Sequence, residues 1–244
     1  MPLSRFLILA VLSFSLFISA CKKDGSDKPI VLTVDFSHKA NGEAVQFDTI
    51  LYSNSLNQAF SISTCKYFLS NIYLHSPTGD SSMVEEYIYV DGSDAINSSF
   101  SREIKPNTYN KISLNIGIPT AQNISNMFPN PPENKMEWPT PMGGGYHYMK
   151  LEGKYEDSST NIRNFQMHTG PLNKEDYSVW VELPLDLNLE SVDRSLELII
   201  HLDNWFKSPN QLSFYNLSAI MGNATMQSKI QANGNDIIEV GIIE

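Results

Sequence analysis

Cysteine and positive charge are both scarce in this chain: it has two cysteines, Cys21 and Cys65, and 17 Lys and Arg against 27 Asp and Glu. A net charge of -10 argues against nucleic-acid binding, because a polyanion is held by phosphate-neutralising Lys and Arg. No serine nucleophile elbow, His-Glu-x-x-His helix or phosphate-binding glycine loop occurs, so the familiar hydrolase, zincin and P-loop signatures are missing. The run Gly143-Gly144-Gly145 precedes a predicted strand rather than a helix and reads as a turn or bulge. After Pro29 there is no linker long enough to separate one core from another, no internal repeat and no low-complexity tract. Residues 31–244 therefore read as one domain.

The one long apolar run stands at the N-terminus. Arg5 precedes the stretch Phe6 to Phe17, which closes on Ile18-Ser19-Ala20-Cys21. A positive start, a short apolar core and small residues at the cleavage point make residues 1–20 a secretory signal rather than a spanning helix. The final four residues resemble a bacterial lipobox, which makes Cys21 the lipidated first residue of the mature protein. Residues 21–30, with the charged Lys22 to Pro29 stretch, suit a flexible tether. The expectation is a lipid-anchored cell-envelope protein on an outer-membrane, periplasmic or cell-surface face, held by several acyl chains. With Cys21 acylated, Cys65 is the only thiol left, so no intramolecular disulfide forms and Cys65 reads as buried and inert.

Short alternating runs fill the rest. Leu32, Val34 and Phe36 share one parity, as do Ile112, Leu114, Ile116 and Ile118; Val179, Val181 and Leu183; and Leu196, Leu198, Ile200 and Leu202. Period-two alternation marks strands with one buried face. Turn clusters separate them at 39–43, 76–80, 129–134 and 232–236. Long helical spacing is absent, and only Thr120 to Met127 and Leu217 to Met221 suggest short helical pieces. The expected fold is all-β, an antiparallel β-sandwich with short helical or 3-10 pieces.

Chemistry concentrates between Met136 and Gly170, where Trp138, His147 and His168 accompany Met136, Met142, Met149 and Met167. Thioether sulfur and imidazole nitrogen suit soft and borderline metals, copper above all. The same methionines and aromatics equally serve as strand core. In a strand from Tyr146 to Glu152, His147, Met149 and Leu151 fall on one face and Tyr146, Tyr148 and Lys150 on the other. His168 ends a strand from Phe165, at a position where sites commonly sit. His201 lies opposite the apolar parity of its strand, His38 follows the first strand, and His75 reads as ordinary surface.

These residues also carry a family resemblance. MEWPTPMGGGYHYMKLEG followed by FQMHTG is similar to the copper-binding MbnP-like family, itself related to a copper-repressible surface protein of methanotrophs. There, a Met-x-Trp element leads into a Gly-Tyr strand ending in Lys-x-Glu-Gly, and Phe-x-x-His-x-Gly follows. FSHKANGEAVQFDTILY, CKYFLSNIYL, TYNKISLNIGIP and MGNATMQSKIQANGNDIIEV resemble further family segments, the last in Bacteroidetes-type members, together covering most of residues 31–240. The resemblance implies an envelope copper protein acting in copper acquisition or handling. In some members a tryptophan is oxidised to kynurenine by a dihaem cytochrome c peroxidase-type partner and joins histidine nitrogens at the metal. Position by position, the tryptophan becomes Trp138 and the histidine His168, while His38 matches a histidine common among similar members. Many relatives have a second tryptophan two residues after the first, where this chain has Thr140.

The resulting candidate metal residues are His168, His38, Trp138 and His147, with Met136, Met142, Met149 and His201 as auxiliary ligands for copper. Trp138 also reads as a half-buried aromatic plug over one end of the sandwich. A second class of function is a surface lipoprotein binding glycans or proteins through Trp138, Tyr146, Tyr148, Trp180 and Trp205. A third, the least favoured, is a glycosidase using carboxylates among Glu152, Glu156, Asp157 and Glu182, whose required separation no strand spacing guarantees. The chain is therefore expected not to be an enzyme.

Overall fold

The computed structural model describes residues 28–94, 98–190, 192–217 and 220–243. The expected signal peptide and Cys21 lie outside the described residues, and no helix among those described is long and apolar enough to cross a membrane. Thirteen strands and one α-helix are described: β1 (Ile30–Ala40), β2 (Glu43–Ala44), β3 (Tyr52–Ser53), β4 (Ala59–Phe60), β5 (Thr64–His75), β6 (Ser81–Asp91), β7 (Ser99–Ile104), β8 (Thr108–Ile116), β9 (Met149–Glu156), β10 (Ile162–Thr169), β11 (Val179–Asn188), β12 (Arg194–His201), α1 (Ala224–Asn233) and β13 (Ile238–Ile243).

They form two sheets with an apolar core, as the alternation predicts. The smaller sheet has the order β13-β12-β1-β2, with β7 also on β1; the larger runs β11-β8-β5-β9-β4-β3, with β6 on β5 and β10 on β9. All ladders are antiparallel except β1 with β12, which run parallel from Leu32 against Arg194 to Lys39 against His201. Parallel neighbours need a crossover connection. Here the crossover contains the whole larger sheet, together with β2 and β7. Leu32, Val34, Leu196 and Leu198 from the small sheet meet Leu69, Ile112, Leu114 and Leu151 from the large one, all fully buried. Cys65 is buried in the same core and its thiol is pushed far up by burial, so it is inert as expected.

Helical content is where the structure departs from sequence expectation. Thr120 to Met127 forms irregular turns rather than a helix. The second expected piece includes residues 218 and 219, outside the described residues. The real helix, α1, starts after Asn223, whose side chain accepts a hydrogen bond from the Met226 amide at 3.1 Å. Its buried residues are Gln227, Ile230 and Asn233. Two of these three are polar, so apolar periodicity cannot reveal the helix.

Large-sheet geometry prepares the site. Strand β5 pairs along one edge with two successive strands: Thr64 to Tyr67 face β9, and Leu69 to His75 face β8. Phe68 sits at the fork, its N–H donating to the Tyr148 carbonyl and its carbonyl accepting from Gly117. β9 therefore begins only at Met149, and the chain before it is free to pair elsewhere.

Candidate metal centre

β9 and β10 pair so that Met167 stands beside Leu151 and His168 beside Lys150. Because side chains alternate, Met167 and Leu151 enter the core while Lys150, Glu152 and His168 occupy the outer face. His168 Nε2 lies 2.6 Å from Glu152 Oε1. A carboxylate accepts, so Nε2 carries the proton and Nδ1 of the neutral ring holds the lone pair.

His147 reaches the same face by a route that strand parity does not foresee. Residues 145–147 pair with 136–138: the His147 N–H donates to Met136 O at 2.7 Å and the Trp138 N–H to Gly145 O at 2.8 Å. The next residue changes partner, with the Tyr148 N–H donating to Thr169 O at 2.8 Å. This switch breaks the alternation between His147 and Met149. Met149 goes into the core, whereas the His147 ring meets His168 edge-on, with centroids 5.2 Å apart and planes at 83°. The expectation that His147 and Met149 share a face is thus corrected. His147 Nδ1 also lies 2.9 Å from the Met136 carbonyl, which fixes the proton on Nδ1 and leaves Nε2 as the basic nitrogen.

Trp138 closes the group. Its ring stands 4.8 Å from that of His147 at 83°, and it is only 3% exposed. It is fully covered rather than a half-buried plug, and a redox partner cannot touch the ring directly. The indole rests on Gly170, where a Cβ would come within 2.6 Å of Cδ2 and Cε3. Its Nε1 is buried without a hydrogen-bond partner among the described residues, an uncommon and costly condition for an indole N–H. Behind it, Gln227 of α1 donates to the carbonyls of His168 (3.2 Å) and Ile220 (3.3 Å) and accepts from the Gly170 amide at 3.4 Å. One buried amide thus fixes the backbone that carries His168 and seats Trp138.

Burial, reinforced by the nearby Lys150 charge, holds the His147 imidazolium pKa down to about 3. His168 is also lowered by burial, against the opposing pull of Glu152. Both rings are therefore neutral near pH 7, the protonation state a metal requires. The Lys150 ammonium donates to the Lys135 carbonyl at 2.7 Å and pins the covering segment to the sheet.

The other sequence candidates lie elsewhere. His38 packs edge-on against Tyr67, with Nε2 2.9 Å from the phenol oxygen, in a separate hollow beside Asp91 and Gly92. No ring contact joins it to His147 or His168. His201 meets Glu239 at 3.0 Å on the surface, and His75 meets Ser113 at 2.7 Å. Met136 packs with Phe68, Ile118 and Tyr146, contributing its carbonyl rather than its sulfur to the site; Met142 packs against Tyr148, Leu172 and Tyr177; Met149 is core. Of the aromatics considered for glycan or protein binding, Trp138, Tyr146, Tyr148 and Trp205 are buried and Trp180 alone is open, at 48%. From sequence, Glu152 is only an acid/base candidate and Gln227 has no assigned role. The Lys-x-Glu alternation of β9 is the one local signal for Glu152, and Gln227 has none.

Among the described residues no three His, Cys, Asp or Glu side chains form a metal-binding group. The donors brought together are two imidazoles, with an indole nitrogen that lacks a partner beside them.

Comparison with curated protein sequences gives no significant match. The solved structure of MbnP from Methylosinus trichosporium is similar over 89% of this chain and 100% of its own, with a TM-score of 0.59 and 12% identity, which speaks to the fold. The family model described as MbnP matches residues 29–227, spanning every strand from β1 to β12 and the whole histidine–tryptophan group. The chain belongs to the MbnP family.

Proposed function

We propose that this protein is a lipid-anchored copper-binding protein of the cell envelope, acting in copper acquisition or handling, with His147 and His168 as ligands beneath Trp138. One observation carries the reading: two neutral, touching imidazoles each have one nitrogen committed to an acceptor and the other left basic, under an indole N–H without a partner. Copper suits imidazole in both oxidation states. With only two strong donors, both imidazoles, the site favours Cu(I), which tolerates low coordination.

Membership of the MbnP family supports the same reading through the resemblance of the Met-x-Trp and Phe-x-x-His-x-Gly elements. If Trp138 is converted to kynurenine, its ring nitrogen becomes an aromatic amine beside His147 and supplies a further donor. A dihaem peroxidase-type partner would draw electrons from the buried ring across intervening protein. On this reading the protein acts by binding rather than turnover.

Loading the full chain separately with Cu(I) and Cu(II), desalting and measuring bound metal tests the reading. About one copper per chain is expected, lost in His147→Ala and His168→Ala and retained in His38→Ala. No retained copper, or retention indifferent to both site variants, refutes it. Intact mass of natively produced protein shows whether Trp138 has gained oxygen.

A further inference from the structure

We infer that Glu152 is the positioning residue of this centre, dictating that His168 presents Nδ1 to a metal while His147 presents Nε2. The inference rests on the copper reading for its functional meaning and on hydrogen-bond geometry for its substance. Glu152 is the diagonal cross-strand neighbour of His168, which itself lies opposite Lys150. Its Oε1 is 2.6 Å from His168 Nε2, and its Oε2 accepts from the Thr64 hydroxyl on β5 at 3.3 Å. The carboxylate is therefore held from both sides, one oxygen on each neighbouring strand.

A short contact between imidazole nitrogen and carboxylate selects one tautomer and one ring orientation, and increases the basicity of the opposite nitrogen. The two rings achieve complementary selection by different means. His147 is oriented by a backbone carbonyl, which no substitution at position 136 removes. His168 is oriented by a side chain, which one substitution can remove. Glu152 is thus the adjustable half of the pair. The lysines beside it do not compete for this role: Lys150 is committed to the Lys135 carbonyl, and Lys66 is paired with Asp91 at 3.2 Å.

The test uses the detergent-extracted full chain labelled with nitrogen-15 at histidine. Five histidines give a sparse spectrum in which long-range proton–nitrogen correlations report each tautomer in the metal-free protein. His168 is expected to be protonated at Nε2 and His147 at Nδ1. Glu152→Ala should release His168 into a tautomer mixture while His147, His75 and His201 keep their signals, which also confirms an intact fold. In parallel, competition with a coloured Cu(I) chelator should show affinity falling about 10- to 100-fold, the usual cost of losing such a partner. Glu152→Gln, which can still accept from Nε2, should recover some of that loss, and Thr64→Val should weaken binding less than Glu152→Ala. An Nδ1-protonated His168 in the wild-type chain, or an unchanged tautomer and affinity in Glu152→Ala, overturns the inference. If the wild-type chain holds no copper, the copper reading fails instead, and the tautomer spectrum alone decides whether Glu152 orients His168.

Discussion

Replacing Gly170 by alanine probes the seat of Trp138. The added Cβ would lie 2.6 Å from two indole carbons, far inside van der Waals contact. Gly170 does not have the positive φ that would itself demand glycine, so the cost is steric. The indole cannot simply retreat, because the edge-on His147 ring stands 4.8 Å from it. Overpacking a tight site costs about 1–3 kcal/mol, and confinement between glycine backbone and imidazole places this case toward the upper end. With a urea dependence of about 2–3 kcal/mol per molar for a domain of this size, the unfolding midpoint should fall by about 1 M. A double-mutant cycle isolates the cause: Trp138→Ala alone should cost about 3–5 kcal/mol, and less by about 1–3 kcal/mol in the Gly170→Ala background, where the clash has already been incurred. An unchanged midpoint for Gly170→Ala, or two substitutions additive within about 0.5 kcal/mol, would refute the packing described for Trp138.

Two further outcomes follow from the same geometry. Burial holds His147 at about 3 and His38 at about 4, below the ordinary 6.5, so the unfolded chain binds more protons than the folded one once pH drops below 6.5. Stability is then full above that value and declines on acidification toward each folded value; between pH 7.5 and 5 the loss is about 2 kcal/mol per histidine at 1.36 kcal/mol per pH unit. Urea midpoints across that range should lose some of their slope in His147→Phe, and an equal slope in variant and wild type would contradict the burial argument. Gln227→Ala strips partners from the His168 and Ile220 carbonyls and the Gly170 amide; a loss of about 1–3 kcal/mol with weakened copper retention is expected, and calorimetry with metal analysis checks both.

Much of this architecture is legible in the chain itself, and the places where it is not have identifiable causes. Alternation in Leu32–Phe36, Ile112–Ile116 and Leu196–Leu202 marks the strand faces that meet the main core, whereas Ile118, expected on the same parity, lies past the end of β8 and packs with Phe68, Met136 and Tyr146 in a second cluster. Helix α1 escapes notice because Gln227 and Asn233 are buried for their hydrogen bonds rather than for apolar contact. The four methionines between Met136 and Met167 look like ligands in composition, yet packing uses Met136, Met149 and Met167 as core and Met142 as a partly buried neighbour of Tyr148. The aromatics that suggest a binding face are almost all interior.

Residue order alone determines an all-β sandwich, a buried Cys65 and a segment in which Trp138, His147 and His168 are close enough along the chain to meet. Whether they meet is a tertiary decision. Residues 136–138 compete with β10 for the backbone of residues 145–148, and capture of the His147 amide by the Met136 carbonyl shifts the strand phase so that His147 turns toward His168 instead of following Met149 inward. His38 is carried away by its pairing with β12 and by Tyr67. Hydrogen bonds between separate segments of the chain set both outcomes, and no local pattern of residue types encodes which partner a backbone amide will choose.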